Sequence, residues 1–153
     1  MAASYYPNVN FHFLVTFHSF DPTGSTIDVA FQSVSGLDAT IETEQVKEGG
    51  ENRFTHTLPV RRKAGPLLLK RGLLAPNQSA LTRFLQGAIA NDVFKPMDLV
   101  TIHLLNEMHV NLLSWSINNV WPVSWKIGEL NAMQGEVLIE TLELHYNQLI
   151  LNT

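Results

Sequence analysis

Six histidines, two glutamates a residue apart, a Gly-Gly step and three tryptophans are the residues of this chain whose types could do chemistry. A metal centre needs ligands that converge, and the histidine spacing does not supply them. His12 and His18 share a face of one strand-like run but stand roughly 20 Å apart at ~3.3 Å per residue, too far for one ion to bridge. His103 and His109 flank a short hairpin, and His56 and His145 are isolated. Glu42 and Glu44 share a strand face about 7 Å apart, a separation at which paired carboxylates can hydrolyse glycosides. They lie on an otherwise polar run with no aromatic platform beside them, which reads as a solvated face. Gly49-Gly50 lacks the strand-to-helix setting and the Lys-Ser/Thr of a phosphate-binding loop. Trp115, Trp121 and Trp125 could stack on a sugar, but around Pro122 they read as core and interface packing. No serine stands in a nucleophile elbow, and the absence of cysteine excludes disulfides and thiol catalysis. The expectation is a protein with no catalytic, metal or cofactor site.

Composition points to self-association. At 153 residues the chain fits one domain, 1–153, with enough length for a sizeable core. Apolar residues make up 45% and charged residues only 16%, below the roughly 25% charged usage of ordinary soluble domains. One small domain cannot shrink its own wet surface much, so a low charge fraction implies surface hidden against copies of itself. The net charge of -4 gives no basic face for a specific nucleic-acid site, and Arg61-Arg62-Lys63 is the one dense basic cluster. The start, Met1-Ala2-Ala3-Ser4-Tyr5-Tyr6-Pro7, lacks the basic and apolar regions of a signal peptide. No apolar run approaches the ~20 residues of a membrane helix. Synthesis and assembly in the cytoplasm are expected.

Hydrophobic periodicity supplies the elements. Phe11 to Phe20 alternates, with Phe11, Phe13, Val15 and Phe17 on one face, as a half-buried strand does. Asp21-Pro22-Thr23-Gly24 is turn chemistry, and Ile27, Val29 and Phe31 point inward from a second strand ending near Ser35-Gly36. Leu37 to Val46 is a third strand. Its face bearing Asp38, Thr40, Glu42 and Glu44 is polar and therefore meets water, on a surface or in a channel. Leu67 to Lys70 is a short apolar strand. Residues 77–91 are the one helix: Leu81, Phe84, Leu85, Ala88 and Ile89 repeat at helical spacing and Asn77 is placed to cap it. Asn77-Gln78-Ser79 also fits a glycosylation sequon, and the cap is the preferred reading. Leu99 to Leu105 and Val110 to Ile117 form a hairpin, broken by Trp121-Pro122. Gly135 to Tyr146 is the last long strand, and its apolar set changes face between Ile139 and Leu142, through a bulge or because its two ends pack on different bodies. About seven strands and one helix, several placed for antiparallel pairing, predict a mainly β single-domain barrel or sandwich with a peripheral helix.

Residues 46–63 are too polar for a core. Lys47, Glu48, Glu51, Arg53, Arg61, Arg62 and Lys63 mix both signs of charge there, while Gly49, Gly50 and Pro59 shape the backbone. An extended docking loop is expected, suited to an identical neighbour in which attraction and repulsion fix register.

Several motifs, in order from Phe11 to Leu149, resemble the tail-tube family of contractile phages and phage-tail-like injection systems. They are Val34-Ser35-Gly36-Leu37 followed by an acidic strand, Glu48-Gly49-Gly50 with Asn52, Leu58-Pro59, and Leu69-Lys70-Arg71-Gly72. Trp115 through Ala132, with Trp121-Pro122 and Trp125, and the closing Ile139 to Leu144 complete the set. Val46, Phe84 and Tyr146-Asn147 depart from the usual pattern. The resemblance implies a barrel-like protomer, six copies of which form a ring whose inner strands close one shared barrel. Rings would stack into a rigid tube that a contracting sheath drives through a target envelope. The implied partners are the chain itself, the surrounding sheath, baseplate or spike and tube-terminating proteins, and cargo effectors in the lumen. Asp38, Thr40, Glu42 and Glu44 become candidates to line that lumen; Lys47, Glu48, Gly49, Gly50, Asn52, Arg53, Arg61 and Arg62 become candidates for ring stacking. Rival expectations are the related tube protein of type VI secretion, a tube-initiating baseplate subunit, and a carbohydrate-binding β-sandwich.

Overall fold

A computed structural model describes residues 12–18, 26–47, 49–50, 53, 55–75, 77–92, 96–133, 135 and 137–152. The strands are β1 (His12–His18), β2 (Ile27–Phe31), β3 (Ser33–Ser35), β4 (Ala39–Val46), β5 (His56–Ala64), β6 (Leu67–Gly72), β7 (Met97–Leu105), β8 (Asn111–Ile127) and β9 (Ile139–Asn152). One helix, α1 (Ala80–Asn91), lies between β6 and β7. The seven-stranded sheet runs β2-β1-β7-β8-β9-β6-β3, with every pair antiparallel. Its two ends, β2 and β3, are separated only by Gln32, whose N–H donates to the Lys70 carbonyl at 2.8 Å. One chain segment thus serves both edges, and the sheet is a nearly closed barrel. Closure leaves few unpaired backbone groups to aggregate.

Alternation fills the barrel. Val15 and Phe17 of β1 are buried with Leu67 and Leu69 of β6, Val100 and Ile102 of β7, Ile117 and Val120 of β8, and Leu142 and Leu144 of β9. Burying each such side chain contributes on the order of 1.5–3 kcal/mol. Phe11 and Phe20 lie outside the described residues. Helix α1 lays Leu81 and Leu85 on the same core. Its cap is Ser79, whose hydroxyl accepts from the Thr82 N–H at 3.4 Å. Asn77, expected at that position, instead sits in the turn before it. At the other end Asp92 takes a left-handed φ of 51° and its N–H bonds the Ala88 carbonyl.

Two strand expectations are corrected. Trp121-Pro122 does not end β8, which continues to Ile127. Pairing with β7 stops at Val120, and the register against β9 shifts between Pro122 and Ser124. A proline lacking its N–H is tolerated beside a free edge at such a bulge. The last strand begins at Ile139, not Gly135, and runs beyond Tyr146 to Asn152. Its buried face does not switch: Glu140, Leu142, Leu144 and Tyr146 are all buried on one side, and Val137 lies outside the strand, exposed. The apparent phase change arises because an inward position carries a carboxylate.

That carboxylate belongs to a buried network. Arg71, 5% exposed at the end of β6, donates from Nε to Oε1 of Glu140, 3% exposed. Its Nη2 donates to Ser79 Oγ at 3.0 Å and Thr82 Oγ1 at 2.8 Å in the first turn of α1. Trp125 Nε1 completes the set, donating to Glu140 Oε2 at 2.8 Å. The guanidinium also lies 5.7 Å from the centre of the Phe31 ring, within cation–π range. Among the described residues no buried side-chain nitrogen or oxygen lacks a partner.

Candidate assembly surface

Strands β4 and β5 form a sheet of two that stands apart from the barrel. Half of the expected docking loop is therefore a strand, β5, paired antiparallel with β4 from Ala39↔Ala64 to Val46↔His56. A register shift between Glu42 and Thr43 places a bulge opposite, near Val60. Two strands alone are marginally stable in water, and every residue of this pair except Glu42 and Ala64 is exposed. Ile41 at 59% and Val60 at 58% are uncovered apolar side chains. The ribbon has the composition of a strand pair meant to be covered, and its apolar side chains stay exposed among the described residues.

Its root is built tightly. Gly36 adopts φ +90°, and a Cβ there would lie 1.9 Å from the Pro66 carbonyl oxygen. Only glycine lets the chain pass β6 this closely before it turns into β4. Tyr146, buried on β9, donates its hydroxyl to the Gly36 carbonyl at 3.1 Å and to the Asp38 carbonyl at 3.4 Å. Burial holds its phenol above the usual pKa, and Asp38 adds to the effect.

The sequence-derived candidates gather on this ribbon. Thr40 opposes Lys63 and Glu42 opposes Arg61, so these four share one face, while Ile41 opposes Arg62 on the other. Arg61 Nε donates to Glu42 Oε2 at 2.6 Å and Lys63 Nζ stands 3.8 Å from Oε1. The Arg61 hydrogen bond, and then its charge, hold the Glu42 carboxyl below its usual range. A general acid would need the opposite shift. The polar face is thus zwitterionic, with β5 supplying cations that a reading of β4 alone omits. A cleft of about 320 Å³ lies at the ribbon's root among Glu42, Arg61, Arg62, Lys63, Ala64, Tyr146 and Asn147. Asp38, Glu44, Lys47, Gly49, Gly50 and Arg53 lie along the ribbon and its connections, all exposed, with Asp38 at the root. Glu48 and Asn52 lie outside the described residues.

The other chemically suggestive residues are spread through the barrel. Among the described residues no three His, Asp or Glu side chains are grouped to hold a metal ion. His12 meets His109 in a tilted ring contact, His18 bonds Thr101, and His145 lies near Glu143 and Trp121. Trp115 and Trp125 pack against the core. Sequence reasoning missed the roles of Arg71 and Glu140. The available signal was Glu140 alternating in phase with Leu142 and Leu144, a charge on a core face that requires a partner.

The protein is thus a nearly closed β-barrel with one helix and an exposed two-stranded ribbon beside it. The sequence agrees. Residues 9–150 match the family described as T4-like virus tail tube protein gp19, and the chain belongs to that family. It is a tube protein of the contractile-injection-system type. A chain in the cryo-EM structure of the anti-feeding prophage baseplate, six-fold symmetrised, is 35% identical with a TM-score of 0.83, covering 99% of this chain and 97% of that one. A chain of the extended sheath–tube complex of an extracellular contractile injection system, PVC, shares the fold at 21% identity and TM-score 0.78, covering 98% and 94%. An Hcp protein shares it more distantly, at 10% identity and TM-score 0.61 over 94% and 93%. No curated protein matches the chain.

Proposed function

We propose that six copies close into a ring through their β4–β5 ribbons and that rings stack into the rigid inner tube of a contractile injection particle. The ribbon carries this reading: eight and nine residues of paired strand whose apolar side chains and outer backbone edges, uncovered among the described residues, would find cover in another chain. In the ring, Asp38, Thr40, Glu42 and Glu44 line the lumen. Arg61 and Lys63 share the face of Glu42 and join that wall. Alternating charges without a large apolar patch let cargo slide without sticking. Lys47, Glu48, Gly49, Gly50, Asn52, Arg53 and Arg62 fall to contacts between rings. The sheath, the baseplate or spike, and the tube terminator are the partners. The similar baseplate and sheath–tube structures support this, as does a PVC sheath/tube terminator chain with 22% identity. Assembly in the cytoplasm precedes incorporation; no helix among the described residues is long and apolar enough to cross a membrane.

A second reading, a tube-initiating subunit, draws on the baseplate origin of the 35% identical chain. Light scattering of the purified protein at high micromolar concentration, across several salts, tests both. Growing polymers fit a main-tube subunit, single rings fit an initiator, and a persistent monomer overturns both.

A further inference from the structure

The Arg71–Glu140 network contributes something other than stability. Taking two charges out of water costs so much that apolar replacements of a buried ion pair are often as stable or more so. What such a pair supplies is direction, because each bond tolerates only a narrow range of distance and angle. Here the bonds end on four elements. Arg71 stands at the end of β6 and Glu140 at the start of β9; Trp125 lies on β8 just past its bulge, and Ser79 and Thr82 begin α1. Leu81, Leu85 and Ala88 would hold α1 on the barrel without these bonds, but apolar contact is non-directional and leaves its position free to slide. The same barrel end carries the β8–β9 connection, with Leu130 at 79% and Met133 at 95% exposure, over a groove of about 590 Å³. Ile89 of α1 and Val123 of the β8 bulge stand exposed across a crevice between those two elements. Trp125 of the network lines that crevice, and Glu140 follows directly on Ile139, which lines the groove.

We infer that Arg71, Glu140 and Trp125 are positioning residues for self-assembly: they fix α1 and the β8–β9 end on the barrel in the one arrangement that neighbouring copies fit. The inference rests on the self-assembly proposed above. Two variants test it. Thr82→Val with Ser79→Gly removes the helix tether together with the Ser79 cap bond, keeps volume near Thr82 and retains a tolerated capping residue. Arg71→Met with Glu140→Leu and Trp125→Phe removes the charges and the indole donor together, so no buried charge is left alone. Each variant is followed by circular dichroism for folding, thermal melting, and the critical concentration for assembly beside wild type in the same buffer. The expected result is near-wild-type folding with a critical concentration raised about tenfold or more, the effect of roughly 1.4 kcal/mol per contact. Restoring Thr82 and Ser79 singly recovers assembly in part. Wild-type critical concentrations in the tether variant, or in a folded triple variant, overturn the inference while leaving tube formation intact. A wild-type chain that never assembles removes the proposed function and this inference with it.

Discussion

Replacing Gly36 with alanine tests whether the ribbon's root is as constrained as its geometry indicates. Two costs add. The φ of +90° lies where a Cβ is disfavoured by about 1–2 kcal/mol. The new methyl would also fall 1.9 Å from the Pro66 carbonyl oxygen and 2.9 Å from its carbon. These are backbone atoms, which cannot rotate away, and overpacking of this kind costs about 1–3 kcal/mol. The total is about 2–5 kcal/mol, and at ~2–4 °C per kcal/mol for a domain of this size, the melting temperature should fall by ~4–20 °C. Gly87 is the control. It lies inside α1, and a Cβ added there would meet nothing within 4 Å, so alanine should stabilise by about 0.5–1 kcal/mol through helix propensity. Scanning calorimetry of both variants, at a concentration below assembly, reads the difference. A Gly36→Ala melting point within ~2 °C of wild type would refute the argument that close passage beside Pro66 sets the path into β4.

Three further outcomes follow from the ribbon. The lowered Glu42 carboxyl favours the folded ribbon above the ordinary glutamate pKa of about 4.3 and loses that contribution as pH falls through the depressed value; Glu42→Gln should flatten this acid limb in a pH series of ribbon amide exchange. Tyr146 has a raised folded pKa, so its contribution holds below pH ~10 and fades as pH rises through the folded value. Tyr146→Phe should cost about 1 kcal/mol at neutral pH for the lost hydroxyl bonds, measured by urea unfolding, and remove that alkaline loss. Replacing Gly49 and Gly50 by valine, which strains the φ +100° turn at Gly50 but leaves the barrel core untouched, or reversing Arg53 and Arg62 to glutamate, should keep the barrel folded by circular dichroism and abolish tubes in the electron microscope; normal tubes from both would make this segment a plain exposed ribbon.

Periodicity was enough to place β1, β6, β7 and the helix, because Val15 and Phe17, Leu67 and Leu69, Val100 and Ile102, and Leu81, Leu85 and Ala88 each keep an apolar inward repeat. It failed at β9 for a specific reason. Glu140 occupies an inward position, and its partner Arg71 is 69 residues away in sequence, so no local window shows that the charge is satisfied. It failed at Pro122 because the tolerance for proline depends on where β7 stops pairing, a tertiary fact. The helix cap moved by two residues because Asn77 and Ser79 are both good caps and the deciding bond to Ser79 comes from Arg71 on β6, outside the helix. The ribbon was legible only by halves. Alternation along β4 revealed its polar face, but the cations of β5 opposite Glu42 required the register. The motifs from Val34 to Leu144 sit where the physical reading is weakest: Gly36 at the close passage, Arg71, Trp125 and Glu140 in the buried network.

Cryo-electron microscopy of the purified, assembled protein tests the central claim most directly. The account predicts stacked six-fold rings around an open lumen. The β4–β5 ribbons should form the inner wall, paired to strands of neighbouring copies, with Glu42, Arg61 and Lys63 facing the channel. Particles lacking a central channel, or rings with the ribbon on the outer surface and Glu42 turned away from the lumen, would contradict it.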